Sequence, residues 1–304
     1  MAEMVHRILP ARALGLKHPL LFVSTSQNNL YPYYDTFPGF VKEILEFLNV
    51  RGQDVRVISA NTVVDRLHIV EAGSDLVGGP KPGYLDLLSE FSLGRLDGLY
   101  GEIARPKKLY VSRSALVPQG IILGESYFEQ CLEREGFTVF RPEEIRFTAQ
   151  MDHYHKAEVV IFPEGSACHG TELLGAGMLG QSFIMPRRKG QMTGFQRIIE
   201  PRSTSFQAMD GCVEFLGTAS ANPRTGTALT HIGTSWINVP TMVSFCRANN
   251  IAALQGFCEV EYARAATEDF DRYIAFQSRP GAPWHDGYAT ELKAAFAAKL
   301  ASLG

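Results

Sequence analysis

AEVVIFPEGSACHGTELLG, residues 157–175, changes character twice. A β-branched run, Val159–Phe162, breaks off at Pro163, which reads as a buried strand and its end. Six small or polar residues follow, bracketed by Glu164 and His169, and "GTELLGAGMLG" then has the look of a starting helix. A loop with so little side-chain bulk lets a ligand approach the backbone closely, and free amides at a helix start favour a phosphate. The same stretch is also compatible with an ordinary turn whose acid, Glu164, accepts backbone N–H bonds.

Outward from this stretch the chain repeats the same rhythm. "KLYVSR" (108–113), "TVFRP" (138–142) and "SFIMPRR" (182–188) read as strands. "ESYFEQCLEREGF" (125–137), stopped by Gly136, and part of "EEIRFTAQMDHYHKA" (143–157) read as helices. Nearer the start, "PLLFVS" (19–24), "DVRVISA" (54–60) and "VDRLHIVEA" (64–72) are predicted strands. "FVKEILEFLNV" (40–50), with Phe40, Ile44, Phe47 and Leu48 on one face, and "YLDLLSEFSLGRL" (84–96) are predicted helices, and so is "ELKAAFAAKLASL" (291–303). Strands alternating with helices predict an α/β fold with parallel strands covered on both faces. A Gly/Pro break near 101–107 divides the chain into two such units.

Composition narrows the function. Of 304 residues, 45% are hydrophobic and 20% charged, enough for a sizeable core, and the net charge of −3 offers no basic stripe for nucleic acid. Five scattered cysteines without a C-x-x-C fit a reducing, cytoplasmic compartment rather than a disulfide framework. Pro10, Lys17, His18 and Pro19 interrupt any signal-peptide core, and no apolar run approaches the ~18 residues of a membrane span.

Other signals are weighed against plainer readings. No G-x-S-x-G elbow stands in the stretch, and Cys168 beside His169 is not a dyad by adjacency. His153 and His155, two apart on a helix, diverge and make poor metal ligands. Ser112 and Arg113 end a strand that opens a unit, where α/β sheets place ligands, and an arginine fork suits phosphate. "PRRKG" (186–190) adds Arg187, Arg188 and Lys189 after the next strand, although a solvated cluster explains them too. No G-x-G-x-x-G follows a strand, which argues against a dinucleotide enzyme.

The order of these stretches carries more than any one of them. "KKLYVSRS", "ILGE" (122–125), "LEREGFTVFRPEEIRFTAQ" (132–150) and "AEVVIFPEGSACHGTELLG" together resemble the C-terminal lobe of glycosyltransferase family 61, the capsular-polysaccharide-like glycosyltransferases. The likeness is best over 107–190. It departs where the family has Asn-Glu and this chain Gly124-Glu125, and where the family's loop begins His-Gly and ends in Asn and this chain has Glu164-Gly165 and Gly170.

The resemblance implies a GT-B-like pair of Rossmann-like lobes: an abbreviated N-lobe over 1–106, or one whose upstream residues lie outside this sequence, and a donor-binding C-lobe over 107–286. A last helix over 287–304 is expected to return to the N-lobe. It implies an inverting, metal-independent glycosyltransferase, with no cofactor, that moves a sugar from a nucleotide-sugar donor to a glycan or lipid-linked glycan in surface-polysaccharide synthesis. Peripheral attachment at the inner face of a membrane is compatible with this. The candidate bases are Glu164, at the family's His position, and His169. The candidate donor contacts are Ser112, Arg113, Glu125, Gly165, Ser166, Arg187 and Glu172, the last as partner of ribose or sugar or merely as a first-turn acid. A non-catalytic relative that binds nucleotide or glycan is the competing expectation.

Overall fold

The computed structural model describes residues 5–17, 19–23, 31–75, 78–188 and 192–303. Its centre is a five-stranded sheet of β5 (Lys108–Val111), β7 (Thr138–Phe140), β8 (Val159–Pro163), β9 (Leu179–Met185) and β10 (Ser203–Ala208). All its pairings are parallel, and the spatial order is β10-β9-β8-β5-β7. The first strand in sequence therefore lies inside, with its successor on one side and the remaining three on the other. The side on which successive strands are added reverses between β5 and β8, which makes a topological switch point at their C-terminal ends.

The strands read as apolar runs because both faces are buried. Leu109, Val111, Val160, Phe162 and Ile184 pack to one side; Tyr110, Ile161, Phe183 and Met185 pack to the other. The first face is covered by α5 (Phe147–Lys156), α3 (Tyr84–Tyr100) and the N-terminal helices α1 (Ile8–Ala13) and α2 (Gly39–Phe47). On the second side lie α4 (Glu125–Arg134) and α7 (Val239–Ala248), and the same core extends to α8 (Glu259–Gln277) and α9 (Asp286–Ala301).

The predicted N-terminal strands around 20 and 55 are β1 (Leu20–Val23) and β2 (Val55–Ile58), a parallel pair forming a sheet of its own. Ser24, at the end of the first predicted strand, lies outside the described residues. The expected strand at 64–72 does not form: among the described residues it pairs with no strand, and Leu67 and Ile69 stand exposed. Its β-branched pattern finds no strand ladder to join among them. Of the predicted face, Phe47 and Leu48 are buried and Ile44 packs partly buried against the core, while Phe40 is exposed and Val41 and Leu45 are buried in addition. Glu43 on α2 accepts from the Phe147 amide, at 2.7 Å, and so caps α5.

A three-stranded sheet stands beside the main one, and no pattern in the sequence announces it. β6 (Ile121–Leu123) runs parallel to β12 (Thr234–Ile237), which pairs antiparallel with β11 (Val213–Gly217). The last helix, α9, forms as expected but lies on this sheet. Phe296 stacks on Phe270 and faces Trp236, and Lys299 reaches Glu214. Its buried residues, Ala289, Leu292 and Phe296, belong to this side, not to the N-terminal elements to which it was expected to return. Among the described residues no helix is long and apolar enough to cross a membrane.

Candidate functional site at the switch point

The ends of β5 and β8 bring Arg113 and the 164–172 loop together. Gly165 is extended (φ 169), a conformation open to any residue, so its need is steric: a Cβ there would lie 2.2 Å from Arg113 Nη1. The loop is small because a guanidinium lies against it. Arg113 is buried, donates from Nη2 to the Gln119 and Gly120 carbonyls, and leaves Nε without a partner. Arg187, beyond β9, is equally buried. It donates to the His231 and Gly233 carbonyls, and its Nε is also unpartnered. Both guanidinium groups border Gly120, where a Cβ would lie 2.6 Å from Arg187 Nη1.

Glu164 sits beside them with no exposed surface. Its Oε2 accepts from the Arg187 and Arg188 amides, at 2.9 and 2.8 Å, and its Oε1 from Arg188 Nε at 2.7 Å, with Nη2 of the same guanidinium paired to it at 2.5 Å. Three hydrogen bonds and an ion pair thus hold the carboxylate. The plainer reading of Glu164, an acid that holds backbone amides, describes its geometry. Lys189, the third cation of "PRRKG", lies outside the described residues.

Glu125 opens α4, buried, and accepts from the Arg113 amide and the Tyr110 hydroxyl. Burial first, and then the charge of Glu129, push its carboxyl up to about 8. It therefore carries its proton at neutral pH and does not offset the arginines. Burial, with Arg113 and Arg188 alongside, draws Arg187 down to about 9, still charged at neutral pH. The guanidinium groups of Arg113, Arg187 and Arg188 here face the carboxylate of Glu164, and Glu129, the other acid nearby, is paired with Arg141 at 3.3 Å. Gly124 takes φ 74, a conformation that both Gly and the family's Asn tolerate; Tyr262 lies 2.3 Å from where its Cβ would be and leaves room only for Gly. Ser112 turns away from the site, donating to Glu129 at 2.5 Å.

His169 and Ser166 are the exposed members of the loop. The His169 Nδ1 bonds to Glu172 Oε1, and its ring meets Phe195 edge-on at 5.6 Å. The other Glu172 oxygen, Oε2, lies 3.0 Å from His6 Nε2, and His6 Nδ1 lies 2.8 Å from the Tyr84 hydroxyl. Burial alone would raise the Glu172 carboxyl, but the bonds from His169 and His6 outweigh it and hold it down to about 2. An exposed imidazole oriented by a buried carboxylate is the base-and-orienter arrangement of acid–base catalysis. His6 and Tyr84 were invisible in the sequence, standing 166 and 88 positions from Glu172 with no motif between.

The expected helix after the loop does not form. Ser166–Thr171 is a six-residue 3₁₀ turn, and 172–178 continue without helix. Side chains take the carbonyls that helix amides would have used: Ser92 that of Leu173, and Arg202 those of Glu172 and Leu174. A helix-end phosphate site therefore has no basis here, and the arginines carry the positive charge. Cys168 is buried, its thiol pushed up to about 12. His153 and His155 each bond a backbone carbonyl, of Ala149 and Met178. Hollows of about 740 and 530 Å³ lie elsewhere, beside Arg12, Glu46 and Asp54 and beside Val243 and Phe257.

No curated protein matches the chain. The family model described as Glycosyltransferase 61 matches residues 4–177, which runs from the segment bearing His6 through the loop bearing His169 and Glu172. The match covers more than half of the chain and the segments bearing His6, Tyr84, Arg113, Glu125, Glu164, His169 and Glu172, though not the one bearing Arg187 and Arg188, and the chain is a member of glycosyltransferase family 61.

Proposed function

We propose that this transferase is inverting and metal-independent, and that it moves a sugar from a nucleotide-sugar donor to a glycan or lipid-linked glycan acceptor of a surface polysaccharide. The observation that carries the reading is the exposed His169 backed by buried Glu172, beside a buried surplus of arginine charge. In one displacement, His169 Nε2 takes the acceptor hydroxyl proton, the acceptor oxygen bonds the anomeric carbon, and the bond from that carbon to the diphosphate oxygen breaks. Glu172 steadies the imidazolium that forms. The leaving diphosphate receives the charge of Arg113 and Arg187, whose unpartnered Nε groups have donors to give. Glu164 positions the arginine pair rather than reacting.

A GT-B-like division, with 1–106 on the acceptor side and 107–286 on the donor side, belongs to the same proposal; the separate β1–β2 sheet supports it. A cytoplasmic location, at the inner face of a membrane, completes it. The test is a panel of nucleotide sugars and glycan acceptors, followed by mass spectrometry in the presence of a chelator. Transfer with inverted anomeric configuration supports the reading. UDP binding without turnover on any pair supports a non-catalytic relative instead.

A further inference from the structure

The bond pattern around Glu172 extends beyond the base. Tyr84 is buried at the start of α3, and burial keeps its hydroxyl protonated, well above its usual range. His6 is buried in the segment before α1, held there by its own carbonyl on the Gly73 amide, at 2.9 Å. The groups facing Glu172 are His6, Tyr84, His169 and Arg202, which donates to the Glu172 carbonyl. Burial lowers Arg202 to about 10, so it stays charged and already supplies a positive charge to this interior.

As a neutral ring His6 offers one donor and one acceptor nitrogen. Glu172 as a carboxylate only accepts, so His6 Nε2 must donate and His6 Nδ1 must accept from Tyr84. The same rule makes His169 Nδ1 donate to Oε1 and leaves the lone pair on its exposed Nε2. Every proton in the chain Tyr84–His6–Glu172–His169 then has one place.

We propose that His6 and Tyr84 are positioning residues that hold the Glu172 carboxylate in place, so that the N-terminal segment keeps it set against His169 Nδ1 and leaves Nε2 to accept a proton. The proposal rests on His169 being the base, but its first readout does not need turnover. In ¹⁵N-histidine NMR of the chain at neutral pH, His6 shows the Nε2–H tautomer and His169 the Nδ1–H tautomer. Tyr84→Phe removes the hydroxyl that donates to His6 Nδ1, loosens the His6 ring and, through Glu172, shifts the His169 spectrum. His6→Ala takes a donor from Glu172, frees the carboxylate to turn away and lets the His169 tautomers mix, whereas His6→Gln keeps an Nε2–H donor and restores the wild-type His169 spectrum.

In turnover, His6→Ala moves the acid limb of the kcat/KM profile and lowers kcat roughly 10–100-fold, the usual cost of losing a partner that orients a reactive histidine, and His6→Gln recovers both. A His6 that is Nδ1–H or doubly protonated overturns the proposal, as does a His169 spectrum unmoved in both His6→Ala and Tyr84→Phe. If His6→Ala does not fold, Tyr84→Phe alone decides. If the tautomers are as stated but His169→Ala keeps full turnover, the base assignment fails and the positioning arrangement stands.

Discussion

Two buried glutamates, Glu164 and Glu172, stand on either side of one loop. The donors to Glu164 are permanent, two amides and the guanidinium of Arg188. The side-chain partners of Glu172 are two histidines, one of them at the surface. An acid whose donors cannot change protonation serves as a clamp. An acid bonded to an imidazole within reach of solvent can take part in a proton transfer without moving.

The sharpest way to break this contrast is in turnover. His169→Ala should lower kcat by about 10²–10⁴, the range for a lost general base, with UDP affinity unchanged. Glu164→Gln should leave the pH limb of the base where it was. A reversal of the two results would make Glu164 the base.

The clamp should dominate stability instead. Glu164→Ala strands the Arg188 guanidinium and two amides, and should cost about 3–5 kcal/mol in urea unfolding. Glu172→Ala should cost less at neutral pH, because His169 can turn to solvent. Equal losses would erase the distinction.

A smaller effect separates charge from clamp. Arg113→Ala should weaken UDP binding by about 1.5–3 kcal/mol in calorimetry and flatten its dependence on salt. Unchanged affinity would put the diphosphate elsewhere.

The smallest effect lies in the pH dependence of stability. Glu172, depressed from 4.5 to about 2, contributes stability that is present above pH 4.5 and is lost as pH falls toward 2. Glu125, raised from 4.5 to about 8, works the other way: the folded state holds a proton the unfolded chain has released, so stability falls as pH rises from 4.5 to 8. The windows do not overlap. Glu172→Gln should flatten the acid side of a thermal-melt profile and Glu125→Gln the neutral side.

What could be read from the sequence follows from the range of the forces involved. Val159–Phe162 and Leu109–Val111 announce buried parallel strands because their own side chains fill both faces. Residues 172–178 misled because their helical pattern is local, while the arginine that claims their carbonyls stands at 202. That Arg113 ends a strand beside the loop bearing His169 was legible. The surroundings of Glu164 and Glu172 were not, since they depend on what residues 187, 188 and 6 place around each acid. The weak strand at 64–72 failed for the same reason in reverse, a pattern with no partner.

The second sheet sets a timetable for synthesis. β6 is complete at residue 123, yet its partner β12 begins only at residue 234. At about 5–20 residues per second a ribosome needs roughly 5–20 s to cover that gap. Throughout it Ile121, Ile122 and Leu123, all buried in the finished protein, have no strand to join. The connection between β5 and β7 must therefore wait, half built, for a segment more than a hundred residues downstream. A nascent chain stalled before residue 234 should be a client for holdase chaperones, and the chain through residue 304 should not.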